Sequence, residues 1–279
     1  MKLITNKLFL LPFTFILFMS FNTHAQHYYL VTEGDLLMIA EKDDIKFSTV
    51  FPGEGLYSTQ LGYSPIKHLS VTGSFLYDKT SNQNYGNFGT YDRISKGFNT
   101  NIAIGGYLFL SSKKSESDRF FLSKNVTMDQ GFLFDLYGGY NYGKIHNYYE
   151  GTSASHFDTN KFYAQLGAHW VFRIGTLSYA LRAVHLSYSN GKAQGELQEN
   201  ELRDLFEGGI QDHSPVTFYE SSFRYQIGIR QVRIYTGVTT KHQKDNIRPN
   251  EAKRVVITAG LIFELDEIFK KREEVPVED

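Results

Sequence analysis

Apolar and polar residues alternate with a period of two in segment after segment of this chain. In the segment 131–144, Phe132 and Phe134 fall on one side of an extended backbone, whereas Asp135 and Asn141 fall on the other. Such alternation indicates strands whose two faces meet different environments. It predicts about ten strands, at Ile45–Phe51, Leu56–Ser64, His68–Asp78, Phe98–Leu110, Gly131–Lys144, Lys161–Phe172, Leu177–Tyr188, Val216–Ile229, Val232–Lys241 and Arg254–Leu265.

The links between these strands differ in length in a regular way. Short links occur at Ser64–Lys67, Arg173–Thr176 and Arg230–Gln231, and long polar segments at Lys79–Gly97, Ile145–Asn160, Ser189–Pro215 and His242–Lys253. Several strands also reach the roughly 9–11 residues that a tilted strand needs to cross a bilayer. Short turns on one rim and long loops on the other are typical of outer-membrane barrels. The segment Ser111–Gln130 is long yet falls on the short-turn rim, and we interpret it as an insertion.

The first residues have the layout of a secretory signal peptide. Lys2 and Lys7 precede an uncharged apolar run, Leu8–Phe21, and small residues follow before Gln26. A positive start, an apolar core and a site of the A-x-A kind predict export with cleavage after Ala25. The chain then divides into a signal peptide (1–25), a lead segment that is periplasmic or enters the lumen (26–44), a barrel (45–265) and a charged periplasmic tail (266–279).

Composition narrows the choice of barrel. Aromatic residues make up 15% of the chain, almost all of them Tyr and Phe, which suits a barrel with interfacial aromatic girdles. The polar faces are rich in Ser, Thr, Gly, Gln and Asn and poor in Lys. This favours a crowded lumen over the wet face of a secreted β-sandwich or lipocalin-like barrel. The chain has no cysteine, so disulfides are excluded. Its net charge is −1 and it has no basic domain, so the sequence lacks the charge pattern of a nucleic-acid-binding protein.

Three segments carry a resemblance to a known group. They are the lead segment Leu36–Lys46 (LLMIAEKDDIK), the hairpin Gln60–Val71 (QLGYSPIKHLSV) and the aromatic-glycine strand Phe134–Lys144 (FDLYGGYNYGK). In these the chain resembles the Bacteroidetes-type outer-membrane β-barrel proteins, which are mostly of unassigned function. The resemblance implies an all-β, antiparallel transmembrane barrel in the cell outer membrane of a Gram-negative bacterium.

Charged and amide side chains on the polar faces are candidates for a lumen network. Its predicted members are Gln60, Asp135, Gln165, His169, Glu220, Arg224 and Arg233, with Arg182 as a further candidate. Charges enclosed in a small barrel have to pair, because desolvation costs several kcal/mol for each. Barrels near eight strands are filled by side chains, which favours a structural network. A ten-stranded barrel could still pass a small hydrophilic solute, so a narrow porin-like channel is the alternative.

A second candidate lies in the segment Arg182–Gly191, RAVHLSYSNG. His185 and Ser187 are two residues apart on one predicted strand and therefore share a face. This His-x-Ser arrangement resembles the lipid A deacylase barrels, and the resemblance implies a His base and a Ser nucleophile that attacks a lipid ester. Here Tyr188 and Ser189 stand between the Ser and Asn190, whereas the family pattern has Ser followed directly by Asn.

The expected function is that of an outer-membrane barrel with a structural or surface-interaction role through its extracellular loops. Outer-membrane lipids are the expected partners, together with an extracellular ligand or protein bound by loops such as the Asn-, Gly- and Tyr-rich segment Asn82–Asp92. An enzymatic role is the less favoured interpretation. No phosphate loop, HExxH helix or paired-cysteine motif occurs, so neither a cofactor nor a metal site is predicted.

Overall fold

The chain folds into a closed antiparallel β-barrel, as the alternation predicts. The computed structural model describes residues 39, 42–50, 56–86, 89–115, 128–148, 154–172, 175–194, 215–228, 231–242, 255–265 and 268. Its strands are β1 (Ile45–Val50), β2 (Leu56–Ile66), β3 (Leu69–Gly86), β4 (Gly89–Ser115), β5 (Met128–Tyr148), β6 (Ala154–Phe172), β7 (Gly175–Gln194), β8 (Val216–Gly228), β9 (Val232–His242) and β10 (Val255–Glu264). Each strand pairs with its neighbours in the sequence, and β1 pairs with β10 to close the barrel.

The prediction of an all-β barrel of about ten strands is confirmed, but several strands are longer than predicted. The predicted loop Lys79–Gly97 is largely a hairpin, because β3 and β4 stay paired up to Gly86 and Gly89. The predicted loop Ile145–Asn160 likewise belongs mostly to β5 and β6. The sequence of these two hairpins is predominantly polar, so strand pairing continues without the regular apolar alternation that reveals strands in a sequence.

The two rims of the barrel differ in the links they carry. The turn rim holds the links 67–68, 116–127, 173–174 and 229–231, and the loop rim holds the links 51–55, 87–88, 149–153, 195–215 and 243–254. The insertion predicted at Ser111–Gln130 is shorter than expected, because β4 runs to Ser115 and β5 begins at Met128. The start of β1 and the end of β10 both lie at the turn rim.

Some predicted segments lie outside the described residues. The signal peptide (1–25) does so entirely, and so do most of the lead segment (26–44) and all of the tail (266–279) except Ile268. Among the residues that the structure does describe, no helix is long and apolar enough to cross a membrane.

The outer wall of the barrel carries a continuous apolar belt. Outward residues on β4, β5, β6 and β7 align across the strands, as in the row Gly106, Leu136, Leu166 and Leu181. Three of these four are leucines, and Leu166 is 59% exposed. On β5 the belt runs from Phe132 to Tyr142. Ten residue steps of ~3.3 Å at a tilt of ~40° give a height of about 25 Å.

Aromatic rings border this belt at both edges. At the turn-rim edge Phe132 stacks on Trp170 with ring centroids 6.1 Å apart. At the loop-rim edge Tyr140 lies 4.9 Å from Phe162. Rings at both edges of a band about 25 Å tall are the outer-wall pattern of membrane barrels.

Inside the barrel, tyrosine rings lie across glycines on the neighbouring strand. A Cβ at the glycine would overlap the ring, so a larger residue would displace the tyrosine. In the part of the chain that the structure describes, three cross-strand pairs are of this kind: Gly105 with Tyr137, Gly139 with Tyr163 and Gly260 with Tyr235. The tyrosine rings of these pairs fill part of the lumen. The face of such a ring can also bind a cation.

Candidate functional site

Polar side chains line the inner wall of the barrel. All eight residues proposed for the lumen network are buried, with at most 5% of their surface exposed. They are Gln60, Asp135, Gln165, His169, Arg182, Glu220, Arg224 and Arg233. They alternate along their strands with residues of the apolar belt, and the period of two therefore fixes their inward direction.

An ion cluster lies at the turn-rim mouth of the lumen. Arg233 donates a hydrogen bond from Nη2 to Oε1 of Glu264 at 2.6 Å, and Lys46 Nζ lies 3.6 Å from the same oxygen. Lys46 also lies 3.7 Å from Asp44 Oδ2. The side chains of Lys46, Arg233 and Glu264 are less than a tenth exposed. The cluster joins β1, β9 and β10 where the barrel closes.

The lead segment reaches into this same end of the barrel. Ile39 is 1% exposed and packs against Tyr107, Leu133 and Val171. Those three are inward residues of β4, β5 and β6. The backbone just before β1 is held to β2, because Asp43 N donates to Ser64 O at 2.8 Å. At least this part of the lead segment therefore enters the lumen, which is one of the two positions predicted for it.

Further inside, Asp135, His169 and Ser178 form a hydrogen-bonded chain across three strands. His169 Nε2 lies 2.7 Å from Asp135 Oδ2, and His169 Nδ1 lies 2.9 Å from Ser178 Oγ. A neutral imidazole satisfies both contacts when Nε2–H donates to the carboxylate and Nδ1 accepts from the hydroxyl. Gly167 faces Asp135 in register, and a Cβ there would overlap the carboxylate.

This chain of contacts has the connectivity of a Ser-His-Asp triad but not its accessibility. In a hydrolase the Ser oxygen attacks a carbonyl while the His takes its proton. Ser178 is 1% exposed and His169 is 1% exposed, so an ester cannot approach Oγ without displacing lumen side chains. The arrangement therefore holds β5, β6 and β7 together rather than presenting a nucleophile.

Arg182 is the centre of a third group, toward the loop rim. Its Nε and Nη2 both donate to Gln165 Oε1, at 3.1 and 2.8 Å, and its Nη1 lies 3.5 Å from Glu220 Oε2. The guanidinium also lies 4.2 Å from the centroid of the Tyr163 ring. Lys241 follows Glu220 in the same cross-strand row. In the inward row Gln165–Arg182–Glu220–Lys241, the anion Glu220 therefore lies between two cations, which stabilises its buried carboxylate.

The structure does not join the two deacylase-like candidates. His185 and Ser187 share a face of β7, as predicted, and this is the outer face, but each bonds a different partner. His185 Nδ1 lies 3.2 Å from Thr217 Oγ1, and Ser187 Oγ donates to the backbone oxygen of Asn160 at 3.4 Å. The geometry thus lacks the Ser–His contact that such a nucleophile requires.

Comparison with family models and with curated proteins does not identify a site. No family model matches the sequence, and no curated protein is found to match it. Among the described residues, no group of three or more His, Cys, Asp or Glu side chains could hold a metal ion.

Sequence reasoning missed several members of the inner wall. Lys46 and Glu264 belong to predicted strands. Every second residue of a strand points inward, and applying this rule up to the strand ends would have placed both side chains in the lumen. Ser178 shares its parity with Arg182 and could have been found in the same way. Ile39 precedes the first strand, where no periodicity exists to indicate its direction.

Proposed function

We propose that this chain is an outer-membrane barrel with a closed lumen, which acts through its outer wall and its loop-rim hairpins. The observation that carries the proposal is the apolar belt. Exposed residues such as Leu136 and Ile102, 60% and 61% exposed, are costly in water and favourable in hydrocarbon. A belt of about 25 Å between aromatic edges matches the hydrocarbon thickness that membrane barrels span.

The filled lumen favours a structural or surface role over a narrow solute channel. Arg182 and Arg224 are buried on the inner wall and lie over tyrosine rings of the neighbouring strands, Tyr163 and Tyr235, at 4.2 and 4.3 Å. Ile39 occupies the turn-rim mouth. A solute would have to displace these groups and to break the ion pair of Arg182 with Glu220, and disrupting a buried ion pair costs several kcal/mol.

The loop-rim hairpins support a role in surface interaction. β4 continues from Thr100, at the edge of the belt, to Gly89, and β3 pairs with it over that whole length. At ~3.3 Å per residue this is on the order of 35 Å of strand beyond the belt. The predicted binding segment Asn82–Asp92 lies at the tip of this hairpin, where it would meet an extracellular ligand or protein.

We also propose membership of the Bacteroidetes-type group of outer-membrane barrels. Its support is the hairpin of β2 and β3, where Ser64 Oγ donates to the backbone oxygens of Ile66 and Leu69 at 3.0 and 2.9 Å. His68 in the turn adopts a φ of 67°. The segment that carries the resemblance thus forms a defined turn at the rim expected to be periplasmic.

Membrane location and orientation can be tested together in a Gram-negative host. We expect the protein in the outer-membrane fraction, with an unboiled form that migrates faster on SDS gels than the boiled form. An epitope inserted between Asn87 and Phe88 should be accessible on intact cells. The matched insertion between Phe120 and Phe121, on the turn rim, should be accessible only after permeabilisation. A soluble periplasmic protein would refute the proposal, and reversed accessibility would refute the orientation.

The closed lumen has its own test. The purified barrel in planar lipid bilayers should give no steady conductance. Discrete conductance steps that persist in pure preparations would favour the channel instead.

A further inference from the structure

A row of basic side chains crosses five strands on the outer wall. Successive register pairs join Lys79 to Lys96, Lys96 to His146, His146 to His156, and His156 to Lys192. Residues directly opposite each other in neighbouring strands project to the same face of the sheet. His146 and His156 alternate with the buried residues of their strands, so this shared face is the outer one. These five residues are called the basic row.

The basic row lies on the loop-rim side of the apolar belt. Lys96 is four residues beyond Thr100, which pairs with Tyr142 at the edge of the belt. Four steps of ~3.3 Å at the tilt of ~40° place Lys96 about 10 Å above that edge. The row runs at right angles to the tilted strands, so its height changes by about 12 Å from Lys79 to Lys192. Lys144, one outward residue closer to the membrane, stands about 5 Å above the edge. These positions lie outside the hydrocarbon, at and above the level of the lipid headgroups.

Among the residues whose side chains the structure describes, no acid lies in the line of the basic row. Like charges directly opposite each other destabilise a sheet. In the lumen, the row from Gln165 to Lys241 avoids this by alternating sign, whereas the basic row contains only Lys and His. The neighbouring acid is Asp158, which lies one outward position closer to the membrane, faces Lys144 in register and accepts a hydrogen bond from Asn190 Nδ2 at 2.7 Å. An anion from outside the chain would supply the missing charge.

The imidazole pair at the middle of the row fits an anion better than a metal. His146 Nδ1 and His156 Nδ1 lie 2.9 Å apart and form a hydrogen bond. Lys96 and Lys192 flank the pair in register, and their charges repel a metal cation. The same lysines can donate to phosphate oxygens, as can Nε2–H of the imidazole that accepts within the pair; Nε2 of the other imidazole donates only when that ring is protonated.

We propose that the basic row binds the phosphate groups of lipid headgroups in the outer leaflet, holding anionic lipid against β3–β7. This rests on the proposed membrane location. The row spans four strand spacings of ~4.8 Å, or about 19 Å. This width accommodates a headgroup that carries two phosphates, one near each lysine end. Because the side chains are on the outer wall, binding needs no change in the lumen.

The first experiment measures lipid retention by the purified barrel in uncharged detergent, using native mass spectrometry. The probes are a lipid with two phosphate monoesters, the same lipid after phosphatase treatment, and inorganic phosphate. The variant Lys79→Gln/Lys96→Gln/Lys192→Gln removes three outward cations without touching the lumen. The matched control, Lys42→Gln/Lys67→Gln, removes exposed lysines at the turn rim.

We expect the phosphorylated lipid to be retained and the dephosphorylated lipid to be lost. A lysine beside an anionic surface contributes about fivefold in affinity, so the triple variant should bind on the order of a hundredfold more weakly. The control should bind like the wild type. Equal binding by the triple variant, equal retention of the dephosphorylated lipid, or displacement by equimolar inorganic phosphate would each overturn the inference.

The histidine pair should make lipid binding depend on pH. Burial lowers the pKa of His146, and the nearby His156 and Lys144 lower it further. The charged groups around the pair are Lys96 on β4, Lys144 on β5, Asp158 on β6 and Lys192 on β7. A bound phosphate opposes this effect, so binding should strengthen as pH falls from about 8 to about 6. The lipid phosphates titrate in the same range, so the ratio of wild-type to His146→Gln/His156→Gln binding is compared: it should rise as pH falls, and a constant ratio would contradict the role of the pair.

Failure of this inference can be separated from failure of the proposed function. If wild-type protein reaches the outer membrane but the triple variant retains lipid normally, only the lipid site is wrong. If wild-type protein is not in the outer membrane, the proposed function fails, whatever the detergent measurement shows.

Discussion

Replacing Glu264 by Gln is the sharpest test of the ion cluster at the turn rim. The substitution keeps the size of the side chain and removes its charge. Two cations then lose their shared anion, since Arg233 Nη2 lies 2.6 Å and Lys46 Nζ 3.6 Å from Glu264 Oε1. Lys46 keeps Asp44 at 3.7 Å, so the main loss falls on Arg233.

The magnitude follows from burial. Each contact has a gross attraction of about 4 kcal/mol or more at the effective dielectric of a protein surface, and the cost of desolvation offsets much of it. Breaking a buried pair by removing one partner typically costs 3–5 kcal/mol. The cluster lies at a rim, so we expect Glu264→Gln to lower the free energy of unfolding by about 3 kcal/mol, at the low end of that range. The exposed pair of Asp43 and Lys42, 3.8 Å apart, is the contrast.

Urea unfolding of the barrel in phospholipid vesicles measures this difference. Trp170 is the single tryptophan of the chain and lies in the belt against Phe132, so its fluorescence reports insertion. The control Asp43→Asn keeps a residue type that tolerates the φ of 66° at this position, and it should cost less than about 0.5 kcal/mol. If Glu264→Gln costs no more than this control, the cluster does not stabilise the barrel and the reasoning is wrong.

Three further outcomes can be checked with the same unfolding assay or on whole cells. Gly167→Ala should destabilise the barrel by about 2 kcal/mol, because the new Cβ overlaps the carboxylate opposite, whereas Gly138→Ala has open space and should be neutral. Leu166→Arg, near the middle of the belt, should cost about 2–4 kcal/mol in vesicles, but Ser189→Arg above the belt about 0–1; equal costs would contradict the placement of the membrane. Ser187→Ala should leave the acylation of the host's lipid A unchanged by mass spectrometry, and an altered mass would revive the esterase.

The strand pattern could be predicted from the sequence where the two faces of the wall differ. In the belt, Phe134 lies on the exposed outer wall and Asp135 in the lumen. Alternation between these two surroundings produces the period of two in the sequence. Beyond Thr100 the sequence of the β3–β4 hairpin is predominantly polar, so the continued pairing of these strands leaves little periodic trace in it. The strand ends at the loop rim were therefore the parts predicted too short.

The site was predictable to the extent that it depends on alternation within one strand. Alternation along a single strand is enough to predict which side chains face the lumen. For this reason Gln165 and Arg182 could be named as lumen residues. To predict a contact between two strands, one also has to know how the strands are aligned. That alignment brings together residues distant in sequence, as in the hydrogen-bonded chain from Asp135 through His169 to Ser178. The basic row depends on register alone, because Lys79 and Lys192 are 113 positions apart and share a line only through the three strands between them.

The two cross-strand rows differ because their surroundings differ. In the lumen, Glu220 lies between Arg182 and Lys241, so opposite charges stabilise one another within the wall. On the outer wall above the belt, an anionic headgroup can supply the opposing charge, so His146 and His156 can lie between lysines. The described residues thus place a line of like charges on the outer wall, above the belt, and there we expect this protein to bind lipid phosphates.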